Sequence, residues 1–348
     1  MIIKKYILYF IPIYFFSSLG FFYLGLPSLL GEIDIQLYSD SLLYEQYARN
    51  LPDGLELISL KGNFLGPLFL LDLLDFNYLY IYLFNSILMI ISVSLLVKNY
   101  NVNSFLLVLF IFINPLVFCS LWSVNKEILL FFDFTLFLVY VKNKKKLFLF
   151  LAIIVSPMIR WQITIFLLII MILLIIDTKI KYRKTIFFFS LISLSIIYPQ
   201  ISFVFEDVVN HALAGQDKDS GKGIYPMLNN LQNNLGGYIF AFVPKTLQLL
   251  YGQLFRITNI TDFSAFWNNV VLMLNTVATS ILSIYIIYKK RISIKNDILV
   301  YIALFYVLIF TLTPIYNTRY MFPIYIILVI VASQKTIKHR KKNGKFFN

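Results

Sequence analysis

Leu37-Tyr38-Ser39-Asp40-Ser41-Leu42-Leu43-Tyr44-Glu45-Gln46-Tyr47 follows directly on the first long apolar segment, Tyr6 to Leu30, and decides how the rest of the chain is threaded. Lys4 and Lys5 precede that segment and hold the N-terminus in the cytoplasm by the positive-inside rule, so the quoted stretch emerges outside. A helix from Ser41 to Asn50 puts Asp40 at its start and carries Tyr44 and Tyr47 onward along the same face. Asp40 or Ser39 there can also cap the helix by accepting from an orphan N–H, a role compatible with chemistry. A carboxylate backed by two aromatic rings at the water boundary suits a sugar hydroxyl.

The surroundings set the class. Of 348 residues, 59% are apolar and 14% charged, against roughly 25% charged in an ordinary soluble domain. Apolar runs of crossing length recur along the whole chain, which reads as a single transmembrane domain over residues 1–348. Tyr6 to Leu30 is too long for a signal-peptide core and lacks a small-residue cleavage site, so it is a retained anchor. The net charge of +13 falls in short clusters between apolar runs, which is a topology signal and no nucleic-acid footprint. Cys119 stands alone in an apolar run, and His211 and His339 are too few for a ligand set, so no metal site and no cofactor are expected. Abundant Phe, Tyr, Ile, Asn and Lys point to an AT-rich bacterial gene.

Taken in order, the segments predict an all-α, polytopic inner-membrane bundle of about ten spans, two of them short, with both termini cytoplasmic. The first periplasmic loop, 31–75, is acidic, and its last part, Asn63 to Asp75, is too short to cross. Twelve helical residues reach about 18 Å against a core of about 30 Å, so this piece is re-entrant or interfacial. Spans follow at Phe76 to Val97, at Ser104 to Trp122 with a kink at Pro115, and at Ile128 to Val141 with Asp133 inside. Leu147 to Pro157 and Ile163 to Ile176 form a short pair meeting at Arg160. Beyond the span Ile186 to Phe205 lies a large periplasmic loop, 206–266, in which Tyr238 to Phe255 reads as an interfacial segment. Spans at Trp267 to Tyr288, Ile298 to Ile315 and Met321 to Ala332 lead to a basic cytoplasmic tail, 335–348. Of the 30 Lys and Arg residues only Arg49, Lys61, Lys126, Arg160, Lys218, Lys222, Lys245, Arg256 and Arg319 fall outside the cytoplasmic segments in this threading.

The candidate functional residues then gather on the outer face. Asp40, Lys126, Glu127, Arg160, Lys245, Arg256 and Arg319 all lie in outer loops or turns, a mixture that suits a phosphate-bearing substrate and an acid that activates a hydroxyl. Arg160 and Arg319 are placed to hold phosphate oxygens, and Asp40 to take a proton. Bland roles compete: Lys126 and Glu127 as a solvated turn with Glu127 capping the next span, Arg319 snorkelling to headgroups, and Arg160 in a structural ion pair. No Gly-rich phosphate loop is present.

Ser39-Asp40-Ser41-Leu42-Leu43-Tyr44, Gly66-Pro67 opening a short helix, and Arg319-Tyr320-Met321-Phe322-Pro323 at the last outer turn resemble the GT-C superfamily of membrane glycosyltransferases. Ser123-Val124-Asn125-Lys126-Glu127 and Arg160-Trp161-Gln162 look like bacterial surface-polysaccharide proteins related to it, including O-antigen (Wzy-type) repeat-unit polymerases. The resemblance implies a polyprenyl-linked sugar donor used on the periplasmic face and Asp40 as base. Tyr44, Lys126, Glu127, Arg160, Gln162, Lys245, Arg256, Arg319 and Tyr320 are the expected substrate-binding residues. Expected partners are undecaprenyl-linked glycans, membrane lipids and a chain-length regulator or other polysaccharide-assembly proteins. Two features depart from the pattern: serines replace the second acid in the first loop, and the outer loops lack an Arg with a Gly eleven positions later. The expected activity is repeat-unit polymerisation, with transfer of a single sugar and lipid-linked glycan transport as alternatives.

Overall fold

The structure, a computed structural model, describes residues 2–26, 39–50, 65–176, 182–202, 224–252, 266–289, 298–313 and 317–335. Regular structure among them is helical, apart from an isolated antiparallel bridge between Val102 and Gln334. The first half holds α1 (Ile2–Tyr23), α2 (Ser39–Arg49), α3 (Leu65–Leu73), α4 (Tyr78–Asn99), α5 (Ser104–Phe112), α6 (Pro115–Trp122) and α7 (Lys126–Asn143). The second holds α8 (Lys146–Ile159), α9 (Trp161–Ile176), α10 (Arg183–Ile201), α11 (Ile224–Gln232), α12 (Gly237–Tyr251), α13 (Phe266–Tyr288) and α14 (Ile298–Phe310). A 3-10 turn, Thr318–Met321, then leads into α15 (Phe322–Ser333).

α1, α4–α10 and α13–α15 overlap the apolar segments read from the sequence as spans, while α2, α3, α11 and α12 lie between them. By length and composition α4, α10 and the Val270–Tyr288 part of α13 are able to cross a membrane as single helices. α5 and α6 make a fourth crossing if the 73° bend between them is counted as one broken span. α8, α9, α14, the Leu8–Tyr23 part of α1 and the stretch Thr318–Ser333 are apolar but shorter. The chain is therefore a helical membrane protein.

Asparagines start many of the elements. Asn77, Asn103, Asn114, Asn125 and Asn317 each sit in extended backbone just before a helix or turn and accept a bond from its first N–H groups. At Asn114 this turns the expected Pro115 kink into a full break, because the helix ends and restarts. The Asn114 side chain caps Leu116 N–H while its Nδ2 donates to Asn275 Oδ1 at 2.7 Å in the interior. Pro115 takes the first helical position, where a missing N–H costs nothing.

α7 is the core of the bundle. Nearly every residue from Lys126 to Val141 is buried, and the helix packs most extensively on α4 and α8. Phe134 meets Phe166 of α9 and Tyr306 of α14, and Phe131 meets Phe322 of α15. Position 66 requires glycine: a Cβ there would run into the Met158 carbonyl oxygen of α8 and sit 3.0 Å from Leu129 Cδ1. This lets α3, the short non-crossing helix, press onto α7 and α8 just below Arg160.

α11 and α12 form a hairpin that lies across the bundle. Near its start α12 bonds α10, through Ile239 N–H to Ser195 Oγ at 3.2 Å. At its far end Tyr251 and Ser283 of α13 share a hydroxyl bond of 3.0 Å. α12 covers most of the segment Tyr238 to Phe255 expected to be interfacial, of which the part beyond residue 252 lies outside the described residues.

Candidate functional site

The site is built where the loop before α7 meets the break between α8 and α9. Two residues before the end of α8, Pro157 has no N–H for the Ile153 carbonyl, which Ser156 Oγ takes at 3.2 Å instead. Arg160 then stands in extended backbone, with φ −162° and ψ 130°, between two helix ends. Its N–H still bonds Ser156 O at 3.0 Å and its carbonyl accepts from Ile163 N–H at 3.0 Å, so the break is rigid. Arg160 is 7% exposed. It lies 4.4 Å from the centre of the Tyr320 ring, and its Nη2 is 3.8 Å from Glu127 Oε1, too long for a hydrogen bond.

Glu127 is buried at 1% and Lys126 at 7%, so the solvated turn of the sequence reading is corrected. The cap is corrected too: Asn125 Oδ1 receives the Lys126 and Glu127 N–H groups at 2.6 and 3.3 Å, which leaves the Glu127 carboxylate for Arg160. Lys126 Nζ stands 5.2 Å from the centre of the buried Tyr44 ring of α2. Ser41 Oγ of the same helix donates to Val124 O at 3.0 Å. α2 is pinned from its other end by Glu45, whose Oε2 accepts from the Tyr78 hydroxyl at 2.6 Å and whose Oε1 accepts from Arg49 at 2.7 and 3.1 Å. Glu45 is thereby committed to holding the helix.

Asp40 stands in the first turn of α2, one residue before Ser41; its side chain lies outside the described residues. Tyr44 faces inward, while Tyr47 is 41% exposed and does not share its face. On the turn before α15 Arg319 is 7% exposed and bonds Asn317 Oδ1 through its backbone N–H at 3.0 Å and Nε at 3.3 Å. The Tyr306 hydroxyl donates to Tyr320 O at 2.7 Å and fixes the ring against Arg160. Arg319 thus follows the site as the chain neighbour of Tyr320.

Lys245 lies on α12, which packs on the turn that carries Arg319. Its ammonium donates to Asn229 Oδ1 at 2.9 Å, to Gln232 Oε1 and to Thr313 O at 3.0 Å, matching three N–H donors with three acceptors inside the protein. Burial pushes its pKa down. Those bonds suit a clamp for the α11–α12 hairpin better than a substrate contact. Arg256 lies outside the described residues.

The segments that meet at Arg160 carry buried polar atoms without a hydrogen-bond partner among the described residues. These are Asn125 Nδ2, Glu127 Oε2, Arg160 Nη1, Gln162 Oε1 and Thr318 Oγ1. A buried group left so calls for a reason, and a bound polar ligand is one. Two donors, two acceptors and a hydroxyl fit a ligand that both gives and takes hydrogen bonds beside an anion. Asn125, Ser41 and Thr318 were missed as site residues by the sequence reading; the available signal was a small polar residue at each helix start. No protein-family model matches the chain, and no match was found among curated proteins or among solved structures.

Proposed function

We propose that this chain polymerises oligosaccharide repeat units carried on polyprenyl pyrophosphate, by glycosyl transfer at the periplasmic face of a bacterial inner membrane. In this reading the bundle is GT-C-like, crosses about ten times and keeps both termini in the cytoplasm. The observation that carries the proposal is the buried meeting of Glu127, Arg160 and Tyr320, with unused hydrogen-bonding atoms, beside the helix that bears Asp40.

The acceptor hydroxyl of one lipid-linked unit gives its proton to Asp40 as its oxygen bonds to the anomeric carbon of the other unit. The bond from that carbon to the pyrophosphate oxygen breaks, and Arg160 and Arg319 stabilise the charge that gathers on the leaving group. The energy of the step resides in the glycosyl pyrophosphate, so no nucleotide is needed. Tyr320 offers a ring face to sugar, Tyr44 holds Lys126 from inside the bundle, and Glu127 keeps Arg160 oriented until the anion arrives.

Glycan analysis of a deletion strain of the source bacterium tests the assignment. Lipid-linked or exported glycan one repeat unit long supports polymerisation. Incomplete repeats would transfer the assignment to a single-sugar transferase. Polymer of unchanged length would remove the proposal.

A further inference from the structure

At the end of the bundle opposite the candidate site, lysines from separate elements converge. α7 runs from Glu127 at one end to Lys142 at the other, about 22 Å along its axis. There Asn143 Nδ2 donates to Asn99 Oδ1, which ties the end of α7 to the end of α4. Asn103 N–H donates to Ser333 O at 2.7 Å and Lys335 N–H to Asn101 O at 3.0 Å, which brings the end of α15 to the same place. The result groups Lys98, Lys142, Lys144, Lys145, Lys146 and Lys335, all exposed. Lys144 adopts a left-handed backbone, φ 59°, and closes α7 through its N–H to Tyr140 O. Among the described residues no acid lies at this end: Glu45, Asp72, Asp75 and Glu127 belong to the other, and Asp133 is inside α7.

Apolar surface begins where the lysines stop. Leu147 is 64% exposed, Phe150 61% and Ile154 50%, along one side of α8 directly after Lys146. Charge followed within one helical turn by exposed hydrocarbon matches an amphiphile with an anionic head. We propose that this patch binds anionic phospholipid, the ammonium groups holding the headgroup phosphate and the exposed side of α8 taking the acyl chains. The positive-inside rule asks only that lysines be cytoplasmic; the fold gathers these onto one spot. This inference is independent of the glycosyl-transfer reading.

The test uses the full chain purified into nanodiscs of phosphatidylcholine with increasing phosphatidylglycerol. A variant carrying Lys142→Gln, Lys144→Gln, Lys145→Gln and Lys146→Gln is compared with the wild type. Expected is a thermal-unfolding midpoint that rises with phosphatidylglycerol for the wild type and falls back with added salt. The variant should match the wild type in pure phosphatidylcholine, lose most of the rise, and retain on the order of tenfold less anionic lipid in native mass spectrometry. An equal rise in the variant, or none in the wild type, overturns the proposal. So does an equal rise with soluble glycerol phosphate in pure phosphatidylcholine, which would make the ligand a free anion.

Discussion

Arg160 shows how a single side chain is set by its neighbours. Pro157 lies two residues before the end of one helix, Trp161 starts the next, and the guanidinium is left between an aromatic face and a carboxylate that it does not quite touch. Lysine cannot reproduce a planar fork, so Arg160→Lys should lose at least about tenfold in transfer rate while the protein still inserts and folds. A wild-type rate from that variant would mean the fork is unused. Lys245 makes a separate prediction through pH. With its folded pKa held below the ordinary 10.5, the unfolded chain binds more protons between the two values, so stability should rise with pH across that window. Lys245→Met should flatten this rise in thermal unfolding between neutral pH and about pH 10; an unchanged slope would show that the ammonium stays charged on its three acceptors. Arg160 was legible in the sequence because an arginine between two short apolar stretches is conspicuous. The cap role that competed for Glu127 falls to Asn125, two residues earlier, an equally good cap by sequence, and only geometry shows which one acts.

Among the elements, the short ones do the positioning. α3 is held close by Gly66, and Gly66→Ala should push it off the Met158 carbonyl and lower stability by about 1–3 kcal/mol, the usual cost of overpacking. An Ala variant as stable as the wild type would mean that α3 can slide. The break between α5 and α6 rests on Asn114, and Asn114→Ala removes the cap and leaves Asn275 Oδ1 without its donor. A cost of about 1–3 kcal/mol in thermal unfolding is expected. Most helix boundaries were readable to within a few residues, since charge clusters, prolines and apolar periods mark them; α11, inside a polar loop by sequence, was not, and α1 stops at Tyr23 rather than Leu30. The size of the bend at Asn114 was not readable, because Pro115 is compatible with either a kink or a restart until the asparagine partner on α13 is known. Nor was the inward turn of Tyr44 against the exposed Tyr47, which depends on how α2 sits over Lys126.

At the scale of the whole molecule, the two ends of the bundle have opposite character. One carries acids and arginines folded into the protein around Arg160, and the other carries exposed lysines around Asn99 and Asn143. That polarity was legible from charge alone; the convergence of Ser41, Val124, Glu127 and Tyr320, far apart in sequence, was not. A bundle threaded with both ends inside should react, at a cysteine placed at Lys142, with a membrane-impermeant maleimide only after the cytoplasmic side is opened, and labelling of intact cells would invert the topology. In the proposed function the cluster around Arg160 transfers glycan, with Asp40 taking the proton. Its most direct measurement is polymerisation of a lipid-linked repeat unit by the purified protein, wild type against Asp40→Asn and Arg160→Gln. A ladder of products is expected for the wild type and none for either variant, with unfolding midpoints preserved; ladders of wild-type length from both variants would overturn the proposed function.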